Sequence, residues 1–217
     1  MMKFKKALVF ALSLIAVMGI TACGNETINS SEQNTAEQRN DADEHFLEFL
    51  KGNEADVNGD TFWGVGEEDM EYALYDMNGD GVNELLVRAF GYWIADVIEY
   101  KDDKIQYANV ENYGSSSKTF INDKNQFVCA DTGHQGRAMY VVSKINEEGK
   151  PELVLSLVNY VDDWAESGSP EYYKKENPSQ DYLDNIDKFD IVTEDEFNAL
   201  VEEYSKESTE INWIKYN

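Results

Sequence analysis

Four acid or amide side chains recur at short intervals in YDMNGDGVNELLV, residues 75–87: Asp76, Asn78, Asp80 and Glu84. Calcium takes about six to eight oxygens from carboxylates, amides, backbone carbonyls and water. Asp-x-Asn-x-Asp-Gly offers three side-chain oxygens at alternate positions of a tight loop. Gly81 permits the bend that a Cβ would hinder, and the Val82 carbonyl would be a further ligand. An EF-hand closes with a bidentate acid at loop position twelve. That position is Val87 here, which excludes an EF-hand and a dockerin-type loop. Glu84, at position nine, must close the site. An ordinary Asn-Gly/Asp-Gly hairpin turn also accounts for Asn78, Gly79, Asp80 and Gly81. It leaves Asp76 and Glu84, both at ligand spacing, without a reason.

Other residues carry weaker signals. ADVNGDTF, with Asp56, Asn58 and Asp60, repeats the first half of the pattern but lacks a glycine after the third ligand, and reads as a turn. Of the two histidines, His45 falls among acids on a helical segment and reads as a surface residue. His134, in TGHQG, is either a ligand-binding loop residue or a turn residue bonded to backbone. Trp164, Tyr172, Tyr173 and Tyr182 lie in an aperiodic stretch, where they either stack on a sugar or peptide or tuck the chain against its own core. Cys129, in QFVCAD, reads as a small buried strand residue. Nucleophile elbows, phosphate loops, His-Glu-x-x-His and Cys pairs are all absent. With 43 Asp and Glu in the chain, spacing alone cannot single out a catalytic carboxylate pair.

The elements that must position these residues are mostly strands. From Tyr72 onward, apolar runs alternate with short polar turns. EYALYD and ELLVRAF flank the Asp76 loop, WIADVIEY and KIQYANV flank Lys101–Asp103, KTFI and QFVCA flank Asn122–Asn125, and RAMYVVSKI and ELVLSLVNYV flank Asn146–Pro151. Four such units predict an antiparallel meander. DADEHFLEFLKG predicts a short amphipathic helix that stops at Gly52. VTEDEFNALVEEYSKE predicts a second, with a Thr193/Glu196 capping box and Phe197, Leu200, Val201 and Tyr204 on one face. The final INWIKY reads as a short strand or an apolar tail packed on the sheet. The expected class is α+β, predominantly an antiparallel β meander, with a short N-terminal helix and a C-terminal amphipathic helix.

Asp76-x-Asn78-x-Asp80-Gly81-x-x-Glu84 between strands resembles the short calcium loops of integrin-type FG-GAP repeats, with Glu in place of the usual final Asp. Only one such copy is present, so a whole propeller is not expected. The wider context, YALYDMNGDGVNELLVR with Gly133-His134-Gln135-Gly136 and the VTEDEFNALVEEY helix, resembles a group of uncharacterised surface lipoproteins from gut Firmicutes. That resemblance implies the architecture and a structural calcium ion, and implies no catalytic residue.

The first segment reads as a delivery signal. Lys3, Lys5 and Lys6 precede the apolar run Ala7–Ile20, which is short for a membrane span. It ends in Ile20-Thr21-Ala22-Cys23, which resembles a bacterial lipobox. The expected organisation is a signal peptide over 1–22, lipidated Cys23 with a polar tether over 23–40, and one domain over 41–217. The 43 acids against 18 Lys and Arg give a net charge of −25. Such a chain repels nucleic acid and anionic lipid and attracts cations. The expected function is a membrane-anchored, extracytoplasmic, non-enzymatic binding or structural lipoprotein, held in the bilayer through acylated Cys23. A glycan- or peptide-capturing module using Trp164 and the nearby tyrosines, or a carboxylate-based hydrolase, are the alternatives.

Overall fold

In a computed structural model of the chain, residues 30–114, 117–134, 137–146, 148–160, 170–178 and 188–216 are described, with side chains from Gln38 onward. The leader, Cys23, Gln135, Gly136, Trp164 and Tyr182 lie outside the described residues. The fold is α+β, with two helices and a large, mostly antiparallel sheet. All four expected hairpins form: β1 (Met70–Tyr75) with β2 (Glu84–Ala89), β3 (Trp93–Lys101) with β4 (Lys104–Tyr107), β5 (Lys118–Ile121) with β6 (Phe127–His134), and β7 (Arg137–Ile145) with β8 (Pro151–Tyr160). A parallel bridge, Trp93 to Thr119, joins β3 to β5 and makes one sheet of the two halves. The tail adds a strand, as INWIKY suggested, with β11 (Ile214–Lys215) pairing β1 at one edge.

Two local differences from the sequence reading have clear causes. EYYKKE, inside the stretch that reads as aperiodic, forms β9 (Glu171–Glu176), which pairs with β8 and carries β10 (Asp190–Val192) on its outer side. Its two tyrosines alternate faces: Tyr173 meets the central core and Tyr172 meets Phe197. Helix α1 runs Ser30–Leu50 and so begins within the expected tether. Residues 35–39 include Ala, Glu, Gln and Arg, all good helix formers. The helix ends where expected. Gly52 has φ +76°, its N–H donates to Phe49 O at 2.9 Å, and Asn53 N–H donates to Glu48 O at 3.0 Å, the paired bonds of a Schellman stop.

The sheet folds over itself, and the layers run helix, sheet, sheet, helix. Ala73, Leu86, Ile94 and Val97 from the first half meet Ile121, Phe127, Cys129, Met139 and Val141 from the second in a central core. Cys129 is a buried free thiol there, as its strand context suggested. On the outer face of the first half, Ala42, Phe46, Phe49 and Leu50 of α1 cover Leu85, Val87, Ile98 and Ile105. Full burial of each large side chain contributes about 1.5–3 kcal/mol. The second half is covered by α2 (Glu194–Tyr204), through Phe197 on Val128, Val142, Leu155 and Leu157. Thr193 caps α2 by accepting from Glu196 N–H, while the Glu196 carboxylate turns to Lys174 at 3.0 Å instead of completing the capping box.

One irregularity positions the site. In the β2–β3 ladder Arg88 faces Ile94, but Val87 faces Asp96, so Ala95 is an extra residue. This β-bulge advances β3 by one position relative to β2. Leu85 then faces Ile98, and continuing that register sets Glu84 opposite Glu99.

Candidate cation site

The Asp76–Glu84 loop is held first by its own backbone. Asp76 accepts from Gly79 N–H at 2.7 Å and from Gly81 N–H at 2.9 Å through its two oxygens. Asn78 Oδ1 accepts from Asp80 N–H at 2.8 Å, and Asp80 Oδ1 accepts from Val82 N–H at 2.7 Å. Glu84 Oε2 accepts from Met77 N–H at 2.6 Å, which draws the far end of the loop onto its start. Gly79 and Gly81 have φ +78° and +92°, conformations that a side chain would disfavour. Turn chemistry therefore occupies both oxygens of Asp76 and one each of Asp80 and Glu84.

The remaining oxygens converge on a single donor. Asn78 Nδ2 donates to Asp80 Oδ2 at 3.2 Å and to Glu84 Oε1 at 3.0 Å. One neutral amide thus bridges two carboxylates. Beside them, Glu99 accepts from Gln106 Nε2 at 3.2 Å through Oε2, while Oε1 is buried without a hydrogen-bond partner among the described residues. Glu84 is 4% and Glu99 5% exposed. Positive charge is sparse here. Arg39 of α1 donates to Gly81 O at 2.6 Å and lies 3.8 Å from Asp76, and Lys101 lies within the field of Glu99.

Electrostatics follow from this crowding. Burial pushes the Glu84 carboxyl up to about 8, with Asp80, Glu99 and Asp76 adding to the rise and the Met77 N–H opposing it. Burial likewise pushes Glu99 up to about 7, helped by Asp80 and opposed by Gln106 and Lys101. Desolvation and like-charge proximity act in the same direction at both groups.

The two glutamates form part of the wall of a cavity of about 500 Å³ at the rim where the sheet halves meet. Asn78, Asp80, Val82 and Asn83 line it from the loop, Gln38 and Asp41 from α1, Tyr100–Asp103 from the end of β3, and Gly149 from the β7–β8 turn. Gly149 is required there. It has φ +77°, and a Cβ on it would lie 1.7 Å from Oε2 of Glu99. Among the described residues, no three acid, cysteine or histidine side chains are gathered as a ready-made metal shell. Holding an ion needs a rotation of side chains already adjacent.

The structure brings together Asp76, Asn78, Asp80, Val82 and Glu84, with Asp76 behind the loop and the other four on the cavity wall. The remaining candidates lie elsewhere. His134 ends β6, its backbone paired with Arg137. Tyr172 and Tyr173 sit on β9, separated from β3 by β8, β7, β6 and β5, and Trp164 is outside the described residues. Asp56, Asn58 and Asp60 form a turn closed by Asp56 Oδ1, which accepts Asn58 and Asp60 N–H at 2.8 and 3.0 Å. His45 is half-buried rather than on the open surface, stacked on Tyr100 at 4.5 Å with Nδ1 2.8 Å from Glu54.

Sequence reasoning missed Glu99, the residue that makes the site more than a turn. Its presence in an apolar strand was a visible oddity, but a regular ladder would place Ile98, not Glu99, opposite Glu84. Asp41 and Gly149 were equally out of reach, since each arrives from a separate element. Comparison with protein-family models, curated proteins and solved structures found no match for the chain, and the reading of the site rests on this geometry.

Proposed function

We propose that the chain is a lipid-anchored, extracytoplasmic, non-enzymatic protein whose domain holds a calcium ion at the mouth of the β1–β2 hairpin. One observation carries the reading. Asp80, Glu84 and Glu99 line the same cavity wall with a single amide, Asn78, bridging two of them, and Oε1 of Glu99 has no donor among the described residues. A divalent cation answers this arrangement: its charge offsets the mutual repulsion, and its ligand shell uses oxygens that now share one N–H pair. Asn78, Asp80, Glu84 and Glu99 supply side-chain oxygens and Val82 its carbonyl, while Asp76 shapes the loop. Such an ion couples folding to external calcium and stitches β1, β2 and β3 together. Anchorage through Cys23 follows from the leader, and among the described residues no helix is long and apolar enough to cross a membrane.

Calorimetric titration and thermal unfolding test the proposal. Calcium should release heat and raise the melting temperature, EDTA should reverse both, and Asp80→Ala should abolish them. Silence in wild type under both measurements sinks the calcium site.

A second reading has one observation in its favour. Two carboxyls facing each other across β2 and β3, both brought near neutrality, have the properties of a general acid and base. A hydrolase reading predicts turnover that survives EDTA and is lost in Glu84→Gln.

A further inference from the structure

The cavity is larger than an ion requires. Its volume is about 500 Å³, against about 30 Å³ for a water molecule in the liquid and about 300 Å³ for the smallest ordinary ligand sites. Among the described residues its lining carries six carboxylates, Asp41, Asp80, Glu84, Glu99, Asp102 and Asp103, and one cationic side chain, Lys101. Once a cation displaces the protons of Glu84 and Glu99, their carboxylates only accept hydrogen bonds, so a ligand that satisfies this wall must bring both donors and positive charge. Acidity alone does not make a site. The second observation is Glu99: it is 5% exposed, it lines the cavity, and its Oε1 has no partner among the described residues.

The acids are divided along the cavity. Glu84 and Glu99 form one group where β2 and β3 run side by side. Asp102 and Asp103 form another at the β3–β4 turn, with φ +51° and +57°, the pair of left-handed residues that a two-residue hairpin demands. Tyr100 lies between them in sequence and lines the same wall. An inorganic ion meets only one group at a time. A flexible chain with an ammonium at each end and methylenes between can meet both.

We propose that this cavity binds a linear oligoamine, with one ammonium received by Glu84 and Glu99 and another by Asp102 and Asp103. The inference rests on reading the acidic wall as a cation site and names an organic occupant for it. Lys101 is the built-in competitor, because its ammonium already acts on Glu99.

The test is titration calorimetry of the full chain in detergent with EDTA present, using putrescine and spermidine as probes, and a separate calcium titration without EDTA. Spermidine is expected to bind. Glu99→Gln should weaken it by about tenfold, the loss of one charge-assisted contact, and Asp102→Asn by a smaller factor. Lys101→Gln should tighten it by about threefold, a gain that misfolding cannot produce. The inference is overturned if spermidine gives no heat, or if Glu99→Gln and Lys101→Gln both leave its affinity unchanged. It is also overturned if a lysine-rich peptide binds and spermidine does not, which assigns the surface to a protein partner. Calcium heat without spermidine heat defeats this inference alone. Spermidine heat without calcium heat supports it and defeats the metal reading.

Discussion

Replacing Glu99 by glutamine should stabilise the calcium-free protein at high pH, against the usual cost of altering a buried residue. Glu99 rises from its ordinary 4.5 to about 7 and Glu84 from 4.5 to about 8 on folding. Both shifts are upward, so between pH 4.5 and 8 the folded chain holds protons that the unfolded chain has released. Their contribution is therefore complete at pH 4 and is lost as the pH climbs through the folded values. One pKa unit corresponds to about 1.4 kcal/mol, so Glu99 alone accounts for a decline of about 3 kcal/mol by pH 8. Glutamine keeps the shape and carries no charge. It also removes one of the neighbours that raise Glu84. Glu99→Gln and wild type should then match within about 1 kcal/mol at pH 5, and the variant should lead by about 2–3 kcal/mol at pH 8. For a domain of this size that lead is about 5–10 °C in melting temperature. The assay is urea unfolding followed by tryptophan fluorescence, at half-unit pH steps in EDTA. Using the difference between variant and wild type cancels the general repulsion of a chain at net −25. Saturating calcium should reverse the order, because the variant has lost a ligand. A variant that is no more stable than wild type at pH 8 without calcium refutes the reasoning.

Other substitutions probe the same architecture. Asn78→Asp removes the amide that donates to both Asp80 and Glu84; it should lower calcium-free stability by about 1–3 kcal/mol and raise calcium affinity, both readable in one set of thermal scans. Gly149→Ala places a methyl group in the Glu99 carboxylate at a left-handed position; a loss of more than about 1 kcal/mol is expected in urea unfolding, and an unchanged midpoint would show that the turn is not packed on β3. Phe46→Ala empties the fully buried contact of α1 with the sheet and should cost about 3–5 kcal/mol by chemical denaturation. Phe90 is 59% exposed with φ +56° at the β2–β3 turn, so Phe90→Gly should gain up to about 1 kcal/mol in the same measurement.

How much of this was legible in the sequence depends on how far apart the cooperating residues lie. The four hairpins were legible because each is local: alternating apolar residues and a polar turn settle the pairing of neighbours. The stop at Gly52 and the cap at Thr193 were legible for the same reason. What escaped depended on contacts between distant segments. Nothing local announces that Trp93 pairs with Thr119 in parallel, yet that bridge lets the sheet close over a shared core. The Tyr172/Tyr173 segment looked irregular because its strand packs one face on each layer, so neither face is wholly polar. At the site, Asp76, Asn78, Asp80 and Glu84 were readable from spacing. Glu99 was not, because its place opposite Glu84 is set by where the ladder slips.

That slip makes the acidic pair a matter of parity. Strand residues sort to opposite faces by odd and even count, and the extra Ala95 exchanges the count for everything after it in β3. Were Ala95 instead to take a regular place opposite Val87, Ile98 would stand opposite Glu84 and Glu99 would turn away from it, without a change to any acid in the chain. The pairing of the two carboxylates thus depends on the ladder leaving Ala95 unpaired, while every residue around them stays the same. The bulge at Ala95 is accordingly as much a part of this site as the acids it sets side by side.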